Sequence, residues 1–273
     1  MSIARRSRRG RPSTVPSYSE LIDALRIDGE TVIATVGDDW KQGRTTYGGL
    51  SAALCLEAAE RRLPDAPPLR SAQFAFVGPA AGELSARVEV LRQGKSALFA
   101  SVDLAGEGGL ATRGVLTFGA GRASRLDHVD LPAPTVPAPE ACELFIPEGA
   151  GPAFARQFEF RYVAGGRPLS GGPPDFLVWI RHRDPAARSL AAMVALADAL
   201  PPPALSVFDQ FAPISTMTWS MDVLGDAPED DGWRLMSSRA ETIRDGYSAQ
   251  AMILWSRDGT PLIAARQTVA VFL

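Results

Sequence analysis

The stretch Ser189–Leu200, SLAAMVALADAL, runs directly into Pro201, Pro202 and Pro203. Ala, Leu and Met are strong helix formers, so the composition predicts a helix. Ser189 can cap its start, and the prolines cannot continue it past Leu200. Leu190, Met193, Val194 and Leu196 are spread around the helix wheel with alanines between them. A helix that is apolar on every side is a buried one. Into its last turn the sequence places one carboxylate, Asp198. A charge there loses water and faces the negative end of the helix dipole. Two readings are open. The end frays and leaves Asp198 in solvent, or burial tunes the carboxylate to accept a proton.

The rest of the chain bounds the function. Its 273 residues suffice for one large domain or two of ordinary size. With 46% hydrophobic residues it can bury a sizeable core, and a net charge of −3 exerts no general pull on nucleic acid or on a membrane surface. Cys55 and Cys142 are too few for a disulfide framework or a cysteine metal set, and Cys55 lies in an apolar helical run. His128 and His182 are the only histidines and have no partner at ligand spacing, which argues against histidine catalysis and against a zinc site. No bound metal or cofactor is expected.

No apolar run approaches the roughly 18 residues of a membrane span. The N-terminus carries five arginines, at positions 5, 6, 8, 9 and 11. An export signal would continue into an apolar segment, and Thr14–Ser19 is polar. Residues 1–19 are therefore expected to form a disordered basic tail, and the protein is expected in the cytoplasm.

Read in order, Thr31–Val36 is a strand and Trp40–Thr46 a loop, and Tyr47-Gly48-Gly49 opens a helix that reaches Arg62. Four strand-like runs follow, Leu69–Val77, Glu83–Arg92, Ser96–Leu104 and Leu110–Phe118, with turn residues between them. Residues 121–153 hold Pro132, Pro134, Pro137, Pro139, Pro147 and Pro152 and have little periodicity, so they read as a linker across the surface. The pattern then restarts. Gln157–Val163 and Asp175–His182 are strands, the Ser189 helix follows, and Ile214–Leu224, Gly232–Ile243, Tyr247–Ser256 and Leu262–Leu273 complete the set. Arg92-Gln93-Gly94-Lys95-Ser96 and Arg244-Asp245-Gly246-Tyr247-Ser248 occupy the same place in the two halves. The chain is thus a tandem duplication, with units at 20–120 and 154–273. A helix apolar all round must be wrapped by a curved antiparallel sheet. The expected α+β architecture resembles a double hot-dog.

At this point the residues resemble the type II acyl-CoA thioesterases, over about Thr31–Leu273. YGGLSAALCLEAAERRLPDAPPLRSAQFAFVGPA from Tyr47, followed by VLRQGKSALFASVDL from Val90, is similar to the family's Phe/Tyr-Gly-Gly helix, its Pro-ended strand and its Arg-x-Gly-x-Ser turn. The resemblance implies a catalytic set of an Asp late in the second helix, a Ser or Thr on the next strand and a Gln on the last. Asp198, Thr216 in PISTMTWSM and Gln267 in AARQTVAVF match these in type and order. It further implies an acyl-CoA substrate, contacts from Tyr47, Gly48, Gly49 and Trp219, and a dimer of double hot-dog chains. Arg92 or Arg244 could meet CoA phosphates or be plain turn residues. In the first half the corresponding places read as Arg61 and Arg113, so one catalytic set per chain is expected.

The chemistry asks for these residue types. A desolvated carboxylate can accept a proton from water that attacks the thioester carbonyl. A hydroxyl and a carboxamide can fix the direction of that water without adding charge. Backbone N–H groups at a helix N-terminus can hold the carbonyl oxygen, either at Gly48-Gly49 or before Ser189. Taken alone, Gln267 could be a surface residue, Thr216 an ordinary strand threonine and Gly48-Gly49 a packing turn. The sequence also departs from the family where Thr218-Trp219-Ser220-Met221-Asp222 replaces an Asp-His-Ser-Met-Trp type of run beside the acyl pocket. A non-catalytic acyl-thioester binding protein is the alternative. A hot-dog hydratase would need an Asp-His pair that is missing from the helix region.

Overall fold

Leu98, Ala100, Val102 and Leu104 are buried, and the residues between them are less so. This period of two builds the sheet that dominates the structure. The computed structural model describes residues 15–226 and 228–273. The five arginines of the expected tail lie outside the described residues.

The first half comprises α1 (Tyr18–Asp23), β1 (Arg26–Asp28), β2 (Thr31–Val36), β3 (Lys41–Gln42), β4 (Thr45–Thr46), α2 (Gly48–Arg62), β5 (Leu69–Phe76), β6 (Gly82–Gln93), β7 (Ala97–Gly106) and β8 (Gly109–Gly119). The second comprises β9 (Phe158–Gly165), β10 (Asp175–His182), α3 (Leu190–Ala197), β11 (Ile214–Val223), β12 (Arg234–Arg244), β13 (Tyr247–Ser256) and β14 (Pro261–Val271). Twelve strands form one sheet in the order β1-β2-β6-β7-β8-β5-β11-β14-β13-β12-β10-β9. The order reads the same from either edge once each strand is matched with its counterpart in the other half. The halves join where β5 and β11 pair antiparallel, with Trp219 opposite Phe74. Both halves also carry a bulge at the same place, between Val90 and Arg92 and between Ala240 and Thr242. The matched turn sequences close the equivalent hairpins. In the second, Asp245 and Gly246 have φ of 53° and 77°, the primed turn that suits twisted strands.

Several expectations are corrected. The chain is ordered before residue 20. Ser17 caps α1 in a reciprocal capping box with Glu20, and Tyr18 is buried. The supposed loop Trp40–Thr46 contains the small β3–β4 hairpin. The Pro-rich segment after Gly119 lacks strands but is more than a tether. Leu131 and Pro137 carbonyls accept the indole N–H groups of Trp255 and Trp179, at 2.8 and 2.9 Å. It therefore straps the outer face of the second half.

Helix α2 is buried at every residue from Gly49 to Ala59, as its all-round apolar composition requires. Helix α3 is shorter than the Ser189–Leu200 stretch implied. Ser189 caps it, its hydroxyl accepting from the Ala192 N–H, but helical geometry stops at Ala197 and Asp198 is the C-cap. Pro201 and its neighbours cannot supply the N–H groups that another turn would need. Among the described residues, no helix is long and apolar enough to cross a membrane.

The two helices run antiparallel in one core. At the start of α2 the crossing is close. A Cβ on Gly49 would stand 2.6 Å from the Ala195 carbonyl oxygen and equally near the Tyr47 ring. Gly49→Ala should therefore cost about 1–3 kcal/mol by overpacking. Gly37→Ala should change stability little, because Gly37 has φ −79° and open space around its Cβ. Thermal or urea unfolding of the two variants measures the contrast. Equal stability would show that the crossing tolerates extra volume.

Candidate active site

The end of α3 delivers Asp198 to the start of α2. A Cβ on Gly48 would lie 2.9 Å from Asp198 Oδ2, and the Gly49 backbone N–H faces the same carboxylate. Tyr47, the residue before α2, makes no side-chain cap bond, and it is the Asp198 carboxylate that takes up the Gly49 N–H of the first turn. The positive end of α2 thus offsets the unfavourable end of α3 at Asp198.

Gln267 comes from β14 and is 4% exposed. Its Nε2 donates to Asp198 Oδ1. Its Oε1 accepts from Gln250 Nε2 at 2.8 Å. Gln250 lies directly opposite Gln267 on β13, so the pair is fixed by sheet register. The second bond sets which end of the Gln267 amide faces the acid. Gln250 escaped the sequence reading. Its signal was a polar residue in the buried alternation Ser248, Gln250, Met252, Leu254.

Thr216 reaches the same face through a bulge. It lies opposite Val269, whereas Trp219 lies opposite Gln267, and the register slips between Thr216 and Thr218. Thr216 stands three positions from Trp219, an odd number that in a regular strand would point it outward, and the bulge brings it back to the inward face. Among the described residues, Thr216 has no hydrogen bond to Asp198 or Gln267.

The expected substrate contacts divide. Gly48 and Gly49 border the carboxylate, with the Phe76 ring close to Gly48. Tyr47 and Trp219 are each 1% exposed and present no open surface. Tyr47 stacks on Phe154 with centroids 4.2 Å apart and donates its hydroxyl proton to the Ala195 carbonyl, which locks α2 to α3. Trp219 packs against Phe74. Both are aromatic walls of the crossing, set inside because their rings have more to bury than a surface site offers. The loop before Ser189 lies at the far end of α3, nine residues and about 13 Å from Asp198, too distant to share a reacting group with it.

The first half has a different set from the one expected. Matching the two bulges puts Leu116, not Arg113, in the place of Gln267, and Leu116 is fully buried. Arg113 faces outward against Asp103. At the start of α3 the carboxylate is Glu57, held by Tyr18 at 3.4 Å and by Ser189, while Arg61 is exposed and donates to the Ile22 carbonyl.

Asp198 is only partly exposed, and loss of water raises its carboxyl from the ordinary carboxylate range to about 7. The Gln267 amide and the Gly49 N–H oppose that rise without cancelling it.

Residues 36–119 match the family model described as the acyl-CoA thioesterase N-terminal domain, and residues 130–271 match the one described as the C-terminal domain. No curated protein matches the chain. Among solved structures, a conserved protein of unknown function with a hot-dog fold from Alicyclobacillus acidocaldarius is 23% identical. It superposes with a TM-score of 0.85 over 95% of this chain and 99% of its own. A TesB protein from Mycobacterium avium subspecies paratuberculosis is 15% identical, with a TM-score of 0.77 over 94% of this chain and 100% of that one. Acyl-CoA thioesterase II TesB2 from Mycobacterium marinum is 18% identical, with a TM-score of 0.73 over 93% and 97%. These likenesses establish the hot-dog fold.

The raised Asp198 carboxyl has a thermodynamic signature. The fold holds the neutral acid more readily than the unfolded chain does. Its contribution is therefore fully favourable below the ordinary carboxylate range and declines as pH rises toward about 7. Asp198→Asn should gain stability over wild type as pH rises from 4 to 7, to a plateau on the order of 2–4 kcal/mol. Melting curves across pH 4–8.5 measure this gap, and a gap independent of pH would contradict the assignment.

Proposed function

This chain belongs to the acyl-CoA thioesterase family, and on that footing we propose that its two hot-dog units hydrolyse an acyl-CoA thioester at Asp198, Thr216 and Gln267. Asp198 is the general base. Its Oδ1 is engaged by Gln267, which leaves Oδ2 to receive a proton from water. Gln267 orients the carboxylate, and Gln250 orients Gln267. Thr216, on the same face of the sheet, holds the water by its hydroxyl. The Gly48 N–H, first in α2 and next to the Gly49 N–H that holds Asp198, takes up the negative charge on the carbonyl oxygen.

The steps balance without a covalent intermediate. Water attacks the carbonyl carbon as its proton passes to Asp198. The tetrahedral oxyanion collapses, the C–S bond breaks, and the CoA thiolate takes the proton back from the Asp198 carboxyl. The proposal is carried by one observation: a carboxylate desolvated to about 7, held between a helix N-terminus and a buried amide. A base near the working pH is the efficient one.

The competing reading is a protein that binds acyl-thioesters without turning them over. It draws on the separation of Thr216 from the hydrogen-bonded pair.

Thiol release from acyl-CoAs of several chain lengths decides between them. Asp198→Ala should lower kcat by about 10²–10⁴. Gln267→Ala should lower it less and raise the apparent pKa, because an amide that favours the charged acid is gone. Wild-type kcat should increase with pH through about 7, since only the ionised Asp198 accepts a proton. Tight binding with no thiol release, or wild-type rates in Asp198→Ala, would reject the hydrolase.

A further inference from the structure

Helices α2 and α3 meet at both ends, and only one meeting holds Asp198. The other sets the last turn of α2 against the start of α3. Between them lies a cavity of about 390 Å³, lined by Leu63, Leu69, Phe118, Leu190 and Val223. Leu69 and Phe118 are each 3% exposed and form its floor. Leu63, Leu190 and Val223 are half-buried around them. The charged residues of the lining, Glu60, Arg70 and Asp226, are exposed and stand at the rim. Glu60 is twelve residues along α2 from Gly48, so the cavity lies about 18 Å from the Asp198 carboxylate.

The sheet register identifies this cavity. Strand β5 carries a bulge between Leu69 and Ser71, as β11 does between Thr216 and Thr218. Leu69 pairs with Phe118 as Thr216 pairs with Val269. Leu69 therefore stands in the place of Thr216, and Phe118 in the place of Val269. Val223 lies as far past its bulge as Phe76, the ring beside Gly48, lies past the other. The cavity is thus the first half's duplicate of the Asp198 site, with leucines at positions 69 and 116 where that site has Thr216 and Gln267. Nothing at those positions can hold a water or orient an acid. The carboxylate of this crossing, Glu57, is held by Tyr18 and Ser189 and does not line the cavity. What remains is an open, apolar recess of the size that small ligands occupy, about 300–1,000 Å³. Each methylene buried against such walls adds affinity.

We propose that the first half binds an apolar acyl chain, carried by a free acid or by a thioester, in the cavity between the end of α2 and the start of α3, and does not turn it over. The chain lies on Leu69 and Phe118 between Leu63, Leu190 and Val223, with its polar end at the rim beside Arg70. Naming an acyl chain as the occupant rests on the reading of the Asp198 crossing as a thioester site, whose duplicate this is.

The test counts bound equivalents per chain by isothermal titration of the full chain with decanoate and, separately, with S-decyl-CoA, a thioether that cannot be hydrolysed. Val223→Trp fills the cavity from its half-buried wall, and Leu63→Trp does so from the helix side should Val223→Trp fold poorly. At least one probe should occupy one more site per chain in wild type than in these variants, and the probe that loses the site names the carrier. Thiol release from decanoyl-CoA should keep kcat/KM within about twofold in both variants, because the two sites are far apart. No saturable binding of either probe, or the same number of equivalents in wild type and both variants, overturns the proposal and leaves the hydrolase standing. Loss of binding in step with loss of thiol release places the ligand at Asp198 and overturns it too. A second site that fills and empties as described, in a chain that releases no thiol, supports the proposal and overturns only the hydrolase.

Discussion

One contact organises this molecule: the C-terminal end of α3 set against the N-terminal end of α2, with the Asp198 carboxylate between them. The requirements of that contact run through the chain. Gly48 and Gly49 are glycines because a Cβ at either place would meet Asp198 Oδ2 or the Ala195 carbonyl. Tyr47 is a tyrosine because its ring fills the space beside Phe154 while its hydroxyl satisfies Ala195. Gln267 and Gln250 stand opposite each other so that one amide can address the acid and the other can hold the first in place. Duplication makes the contact possible. Two similar units related by the β5–β11 junction bring the positive end of one helix to the negative end of the other.

The resulting electrostatics are a balance. Desolvation drives the Asp198 carboxyl toward neutrality, and it is the largest effect. Two donors pull the other way. The carboxyl settles at about 7, where an acid can both take and return a proton. A fully solvated aspartate would be too weak a base. One buried with no donors would stay protonated.

Much of the architecture was legible in the sequence because period and punctuation are local. The α2 boundaries at Gly48 and Arg62 follow from Pro64 and from a wheel with no polar side. Thr31–Val36, Asp175–His182 and Tyr247–Ser256 coincide with their strands because their turn residues are unambiguous. What escaped was decided at long range. Helix α3 ends early because three prolines follow, and Asp198 was read against the dipole of its own helix alone, when the helix that matters comes from the other half. The bulge at Met217 that turns Thr216 inward leaves no mark in the local pattern. Gln250 becomes significant only when β13 pairs with β14. Tyr47 and Trp219 were expected to touch substrate, and only the packed core shows both rings enclosed.

The central claim is that this carboxylate, in this crossing, titrates near neutrality. Carbon-13 NMR of protein labelled at the aspartate carboxyl carbons, titrated from pH 3 to 9, observes it directly. The account predicts one resonance with a midpoint near 7, well above the ordinary aspartate range, that disappears in Asp198→Asn. A spectrum in which every aspartate titrates below pH 5 would contradict it.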